Sequence, residues 1–348
     1  MRLAITADVH LRTYKETPER YHALADILKK ISAIQIDKLV VCGDLFDKDC
    51  SNYSDFEKLA STFKDISFLI LPGNHDPNIS SKYIVGDNIK IFEQPEIIEG
   101  TYNLLFVPYS PGKTMGLAIA PHVKNLGRKN WILFGHGDWS DGLKVINPTE
   151  PGIYMPLTRV DIDQYLPARV ILGHIHVPRD GTVIYPGSPC GIDITETGKR
   201  RFIVYDNSAN TIEYYEVDTD FIFQECNFVI LPVENEEAYI KEKITKIKQG
   251  WKIQDSDLKK IILRVIVRGY SRDKNLLDKI VKREFIDYSF YKGIPPDISE
   301  VNVTVDNNLI KIAETVKAKI DSLELISSPD EPDRDEIIMH SLKLIFEV

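Results

Sequence analysis

Apolar positions in the first half of the chain follow two rhythms that take turns. Short, nearly continuous apolar runs at Arg2–Thr6, Lys38–Cys42, Ser67–Leu71, Tyr102–Val107, Trp131–Phe134 and Arg169–Leu172 predict strands of sheets covered on both faces, because a strand with one wet face would alternate. Between the first two, residues 18–34 place Tyr21, Leu24, Ile27, Leu28, Ile31 and Ile34 at helical spacing, with Thr17 as the expected N-cap and Pro18 in the first turn. Residues 55–63 repeat the pattern with Phe56, Leu59, Ala60 and Phe63. Strands that alternate with amphipathic helices predict an α/β architecture.

Three further short strands, Thr182–Tyr185, Arg201–Tyr205 and Thr211–Val217, are separated by Gly and Asn turns and are expected to complete the second sheet of a β-sandwich flanked by helices. The composition shifts after Asp218-Thr219-Asp220. Beyond it, strand, helix, strand, helix and strand are predicted over 221–233, 234–248, 260–267, 272–284 and 286–291, a smaller α+β domain. Two terminal helices, 307–325 and 333–346, flank the acidic, proline-broken segment Ser327-Ser328-Pro329-Asp330-Glu331-Pro332. The expected domains are therefore 1–217, 218–305 and 306–348. In the last helix Ile337, Ile338, Leu342, Ile345 and Phe346 form an apolar stripe that a short terminal element cannot bury alone, and a partner surface is expected there.

Composition is that of a globular protein, with 43% hydrophobic and 27% charged residues, and no apolar run reaches the roughly 18–20 residues of a membrane span. The N-terminal apolar stretch is too short for a signal peptide and runs directly into Asp8, so a cytoplasmic protein with no membrane association is expected. Cys42, Cys50, Cys190 and Cys226 show no C-x-x-C spacing, against a disulfide framework or a thiolate zinc site. The net charge of −9 hides a local +8 over residues 238–292. Within that block Lys260, Arg264, Arg268, Arg272, Lys279, Lys282 and Arg283 are candidate contacts to an anionic polymer such as DNA.

The chemistry lies in five motifs in the first half: Asp8-x-His10, Gly43-Asp44-x-x-Asp47, Gly73-Asn74-His75-Asp76, Gly135-His136 and Gly173-His174-x-His176. They hold five of the eight histidines and supply only imidazole and hard oxygen, the donors that manganese, iron and zinc accept. Each begins within a residue or two of the C-terminal end of a predicted strand, where loops of an α/β sheet bring ligands together. Two divalent ions about 3.5–4 Å apart need a shared carboxylate. Asp44 is the candidate bridge, with Asp8, His10 and His176 around one ion and Asn74, His136 and His174 around the other. Roughly two negative charges from these ligands against four positive leave a surplus that attracts phosphate, and bound metal can bring the pKa of water down to about 7. His75, beside ligand Asn74, is placed to protonate a leaving oxygen, with Asp76 or Asp47 orienting it or its surroundings.

These residues resemble the calcineurin-like metallophosphoesterase superfamily over roughly residues 1–205. Within it the chain resembles the SbcD family, whose eukaryotic counterpart is meiotic recombination protein eleven. Asp8-Val9-His10-Leu11, Gly43-Asp44-Leu45-Phe46-Asp47 with Pro72-Gly73-Asn74-His75-Asp76, and Tyr185-Pro186-Gly187-Ser188-Pro189 followed by Glu196 and Lys199 carry that likeness. The resemblance implies a manganese-dependent DNA nuclease, a 3'-5' exonuclease on duplex ends and an endonuclease on single strands or hairpins, with magnesium, iron or zinc as other ions of the same site. It implies a capping domain at 218–305, a terminal helical segment that grips an SbcC-like SMC-type ATPase, and a homodimer within a heterotetramer that works in DNA repair or recombination. Two other classes stay open: a small-molecule phosphodiesterase or pyrophosphatase using the same loops, and a non-catalytic scaffold. A phosphoprotein phosphatase would carry Arg-Gly after the second motif and Glu after Asn-His, where this chain has Lys48-Asp49 and Asp76.

Overall fold

The computed structural model describes residues 1–140, 152–324 and 332–347. The chain divides into two compact units, residues 1–192 with 199–220, and residues 193–198 with 221–348. Segment 306–348, expected to stand apart, belongs to the second unit; residues 327–331 of the expected linker lie outside the described residues. Among the described residues no helix is long and apolar enough to cross a membrane.

The first unit runs β1 (Arg2–Thr6), α1 (Pro18–Ala33), β2 (Lys38–Cys42), α2 (Ser54–Thr62), β3 (Ser67–Leu71), β4 (Ile89–Ile91), β5 (Glu96–Ile98), β6 (Asn103–Phe106), α3 (Met115–Ile119), β7 (Trp131–His136), β8 (Trp139–Ser140), β9 (Leu157–Thr158), α4 (Arg159–Tyr165), β10 (Arg169–Gly173), β11 (Arg200–Asp206) and β12 (Thr211–Val217). One sheet has the order β12-β11-β1-β2-β3-β4 and the other β10-β7-β6-β5. Strands β1 to β4 are mutually parallel, as are β6, β7 and β10, so the C-terminal ends of β1, β2, β3, β7 and β10 and the loops leaving them carry the five motifs. Inner faces meet in a core of Leu3, Ile5, Val40, Leu104, Phe106, Ile132, Phe134 and Ile171, in which the Phe92, Phe106 and Phe134 rings stack at 4.3 and 4.9 Å. Helix α1 buries the predicted stripe from Tyr21 to Ile31.

Two expectations fail here and a third holds in part. Residues 201–205 and 211–217 do form strands, but β11 pairs antiparallel with β1, so they extend the first sheet; β5, β6, β7 and β10 build the second. Residues 182–185, punctuated by Gly181 and Pro186, make isolated bridges through Ile184 and Tyr185 and no strand. Thr17 stands at the N-cap position of α1 as expected, but its hydroxyl accepts from the Arg12 backbone N–H at 3.2 Å and not from a helix N–H.

The second unit adds β13 (Ile222–Ile230), α5 (Glu236–Gly250), β14 (Ile261–Ser271), α6 (Lys274–Glu284), β15 (Ser289–Phe290), β16 (Val301–Val303), α7 (Asn307–Asp321) and α8 (Arg334–Phe346). Strands β13, β15 and β16 all run parallel to β14. The strand expected over 286–291 shrinks to two residues. Ile261, Leu263, Val265 and Val267 of β14 pack with Ile240 and Ile244 of α5 and Leu277, Ile280 and Val281 of α6. A second core joins Val229, Leu231 and Tyr270 to Ala313 and Ile320 of α7 and Ile338 and Leu342 of α8.

Candidate metal centre

Close approach of the motif loops is written into the backbone. A side chain at Gly73 would put Cβ 2.1 Å from Asp44 Oδ1, and one at Gly173 would put it 1.9 Å from the Cys42 carbonyl. Asp8, His10, Asp44 and His174 take positive φ values of 54°, 51°, 52° and 102°, a region costly for residues with a Cβ and tolerated where surroundings enforce it. The enforcement is visible: Asp8 N–H donates to Gly43 O at 3.1 Å, His10 N–H to Asp44 O at 2.9 Å, and His174 N–H to Asp8 Oδ1 at 2.9 Å.

The seven expected ligands come together. His10 Nε2 and His176 Nε2 stand 3.1 Å apart, near the edge of about 3.0 Å that two imidazoles span as neighbours around an octahedral ion with metal–nitrogen bonds of about 2.1 Å. Asp8, His10 and His176 form one group able to hold an ion, and the buried Asp8 Oδ2 has no hydrogen-bond partner. On the other side, Asn74 Oδ1 lies 2.7 Å from His136 Nε2 and 3.0 Å from His174 Nδ1. Asp44 Oδ2 sits between, 3.7 Å from His10 Nε2 and 3.3 Å from His136 Nε2. His136 Nδ1 donates to the Cys42 carbonyl at 2.9 Å, which aims Nε2 at Asn74 and Asp44. With Nδ1 donating to a carbonyl, the short contact between Nε2 and the Asn74 oxygen needs a proton or a metal cation between two acceptors. The donor set and its geometry fit divalent metals.

Without metal, the site is electrostatically tense. Burial pushes the Asp8 carboxyl up to about 6 and holds the His10 imidazole down to about 3. Burial disfavours charge on His136 and Asp44 as well, but their mutual attraction wins: His136 rises to about 10, and Asp44 is held well below the usual carboxylate range.

Around the ligands, His75 Nδ1 lies 3.3 Å from Asp47 Oδ1, while Asp47 Oδ2 accepts from Arg12 Nε at 2.9 Å. Asp47 is thereby the partner of His75. Asp76, the other candidate, accepts from the Gly73 and Phe46 backbone N–H groups at 2.7 and 3.0 Å and ties the Asn74 loop to the Asp44 loop. It is structural, and burial with the nearby Asp44 lifts its carboxyl to about 7. Sequence reading missed Asp138, whose Oδ1 is 3.5 Å from His174 Nε2 and whose Oδ2 accepts from the Tyr154 N–H. It also missed Arg20, which donates to the His10 carbonyl, and Arg200, which donates to the His176 carbonyl and to Ser188 Oγ at 2.7 Å. The available signal was Tyr185-Pro186-Gly187-Ser188-Pro189, but the family likeness pointed to Lys199, which pairs with Glu216 at 2.9 Å, one residue before the buried arginine.

The candidate DNA contacts do not form one surface. Arg264 and Arg268 lie on the face of β14 opposite the one covered by α5 and α6, whereas Lys279, Lys282 and Arg283 belong to α6. Arg264 pairs with Glu225, Arg268 with Glu300, Lys282 with Asp278, Arg283 with Glu237 and Lys260 with Asp257, and Arg272 donates to the Pro232 carbonyl. The local +8 is thus a property of the linear sequence more than of a face. The apolar stripe of α8 packs within its own unit: Ile338 and Leu342 are 3% and 2% exposed, and Ile337, Ile345 and Phe346 lie partly buried against the same core. The helix finds its cover inside its own unit.

A family model described as calcineurin-like phosphoesterase matches residues 1–178. Comparison with curated proteins gives no match. Among solved structures the chain is similar to an archaeal phosphodiesterase, at 14% identity over 62% of this chain and 100% of that one, with a TM-score of 0.34. A purple acid phosphatase from yellow lupin (Lupinus luteus) seeds gives 12% identity, 63% and 53% coverage and a TM-score of 0.40. A Pseudomonas putida nuclease gives 14%, 51% and 62%, and 0.26.

Proposed function

The chain belongs to the calcineurin-like phosphoesterase family, and from that premise we propose that it is a two-metal phosphodiesterase acting on the DNA backbone, an SbcD-type nuclease that uses manganese. The observation that carries the metal chemistry is Asp44 Oδ2 standing between His10 Nε2 and His136 Nε2, at 3.7 and 3.3 Å, with the remaining ligands divided to either side. Metals bound there would supply a water-derived nucleophile near neutral pH and a positive clamp for phosphate. His75 delivers the proton to the leaving oxygen. Asp47, braced by Arg12, fixes the orientation of that ring, and the buried hydrogen bonds of Asp76 hold the Asn74 and Asp44 loops in register.

DNA as the substrate rests on the likeness of the three motif stretches to the SbcD family and on the departure from the phosphoprotein phosphatase pattern at Lys48-Asp49 and Asp76. The same reading carries an SbcC-like ATPase partner and a homodimer, with the ATPase docking elsewhere than on the apolar stripe of α8. A small-molecule phosphodiesterase is the second reading, favoured by the carboxylates that accompany Arg264, Arg268, Lys282 and Arg283. End-labelled duplex and hairpin DNA, incubated with the full chain and manganese, magnesium or no metal, separates the two. Manganese-dependent shortening supports the nuclease; intact DNA together with turnover of a small phosphodiester would replace it with the second reading.

A further inference from the structure

The two ligand groups are held in different ways. His136 is fixed through its ring, with Nδ1 on the Cys42 carbonyl at 2.9 Å, and His174 by its backbone N–H on Asp8 Oδ1 at 2.9 Å, with its Nδ1 3.0 Å from Asn74 Oδ1. His10 and His176 are gripped through the main chain, each by an arginine. Arg20, from the first turn of α1, donates to the His10 carbonyl, and its side chain is 13% exposed. Arg200, the first residue of β11 and buried, donates to the His176 carbonyl, to Ser188 O at 3.0 Å and to Ser188 Oγ at 2.7 Å. Ser188 N–H adds a second bond to the His176 carbonyl at 2.9 Å.

A carbonyl fixed in this way fixes the peptide plane, and with it the direction in which Cβ and the imidazole leave the backbone. His10 needs such a hold more than most residues, since its φ of 51° is one that the surroundings must enforce. The two grips come from elements far apart in sequence, α1 and β11, and meet where two Nε2 atoms are 3.1 Å apart. A metal site tolerates errors of only a few tenths of an ångström in ligand position.

We propose that Arg20 and Arg200 are positioning residues that set the seat of the Asp8–His10–His176 ion separately from that of the Asn74–His136–His174 ion, so that the two affinities can be changed one at a time. The proposal rests on the two-metal reading above. It makes each arginine act through a histidine carbonyl without touching substrate. Loss of either grip should weaken one ion by about 10–100-fold, the usual cost of removing a group that orients a ligand.

The test is manganese titration of the metal-free full chain by calorimetry, with electron paramagnetic resonance at two equivalents. Wild type should bind two ions and give an exchange-coupled pair. Arg20→Gln and Arg200→Gln should each bind one ion with unchanged affinity and the second about 10–100-fold more weakly, with the six-line signal of isolated manganese appearing at two equivalents. Arg200→Lys, which restores one donor, should recover part of the coupling. Two ions at wild-type affinity in the variants, or equal weakening of both, would overturn the proposal. Arg20→Gln decides alone if the Arg200 variants do not fold, and its own failure to fold would assign the arginines to stability and end the idea. A wild-type chain that takes fewer than two ions would instead remove the two-metal reading and this proposal with it.

Discussion

Leu342 and Leu344 are two residues apart on α8 and give the sharpest test of where the terminal helix belongs. Leu342 is 2% exposed in the core shared with Val229, Leu231 and Tyr270, whereas Leu344 is 65% exposed. Leu342→Ala removes three carbons from a closed environment and should cost about 2–5 kcal/mol. Leu344→Ala should change stability by less than about 0.5 kcal/mol. Removal of the whole helix takes away two buried side chains, worth roughly 1.5–3 kcal/mol each, and the Tyr270–Phe346 ring pair at 4.5 Å, worth about 0.5–1.5 kcal/mol. It also removes the Asp335 carboxylate that accepts from Val229 N–H at 3.1 Å and pairs with Lys243. Together this approaches the roughly 5–15 kcal/mol that a domain has in total, so deletion should unfold the second unit. Urea unfolding of the full chain, followed by circular dichroism, reads the single variants as midpoint shifts at constant slope. Equal midpoints for Leu342→Ala and Leu344→Ala would refute the packing account and return the stripe to a partner surface.

Asp44→Ala should abolish manganese binding at both positions, because one oxygen faces both ligand groups; two ions bound in calorimetry would contradict the bridge. His75→Ala should keep both ions and slow phosphodiester cleavage by about 10²–10⁴-fold, the usual contribution of a general acid, and full single-turnover activity would remove it from that role. Joint replacement of Lys279, Lys282 and Arg283 on α6 by Gln should flatten the salt dependence of duplex binding by roughly 0.9 log unit for each phosphate that no longer meets a cation. The same change at Arg264 and Arg268, on the other face of the sheet, should leave the slope unaltered if α6 is the DNA-facing side; a binding titration across salt concentrations distinguishes the two.

The legible part of this molecule was the part where local chemistry admits few alternatives. Continuous apolar runs marked β1, β2 and β3 at their observed bounds, and the motif loops leave strand ends as the spacing of Gly43-Asp44 and Gly73-Asn74 implies. Sheet membership was not legible for 201–205 and 211–217, since an apolar strand carries no label for its neighbour; pairing with β1 is a long-range choice. Asp47 and Asp76 look alike in sequence, and only the fold shows one on an imidazole and the other on two backbone N–H groups. Arg20 and Arg200 were hidden for the same reason, because an arginine that grips a backbone carbonyl has no spacing signature. The basic block misled because charge counted along a chain ignores that β14 and α6 turn different ways and that carboxylates, some local and some from distant segments, accompany most of its candidate side chains.

Anomalous scattering from crystals of the full chain grown with manganese tests the central claim most directly. The account predicts two peaks about 3.5–4 Å apart, one between His10 and His176 beside Asp8, the other against Asn74, His136 and His174, with Asp44 reaching both. A single peak, or ions that leave Asp44 uncoordinated, would contradict it.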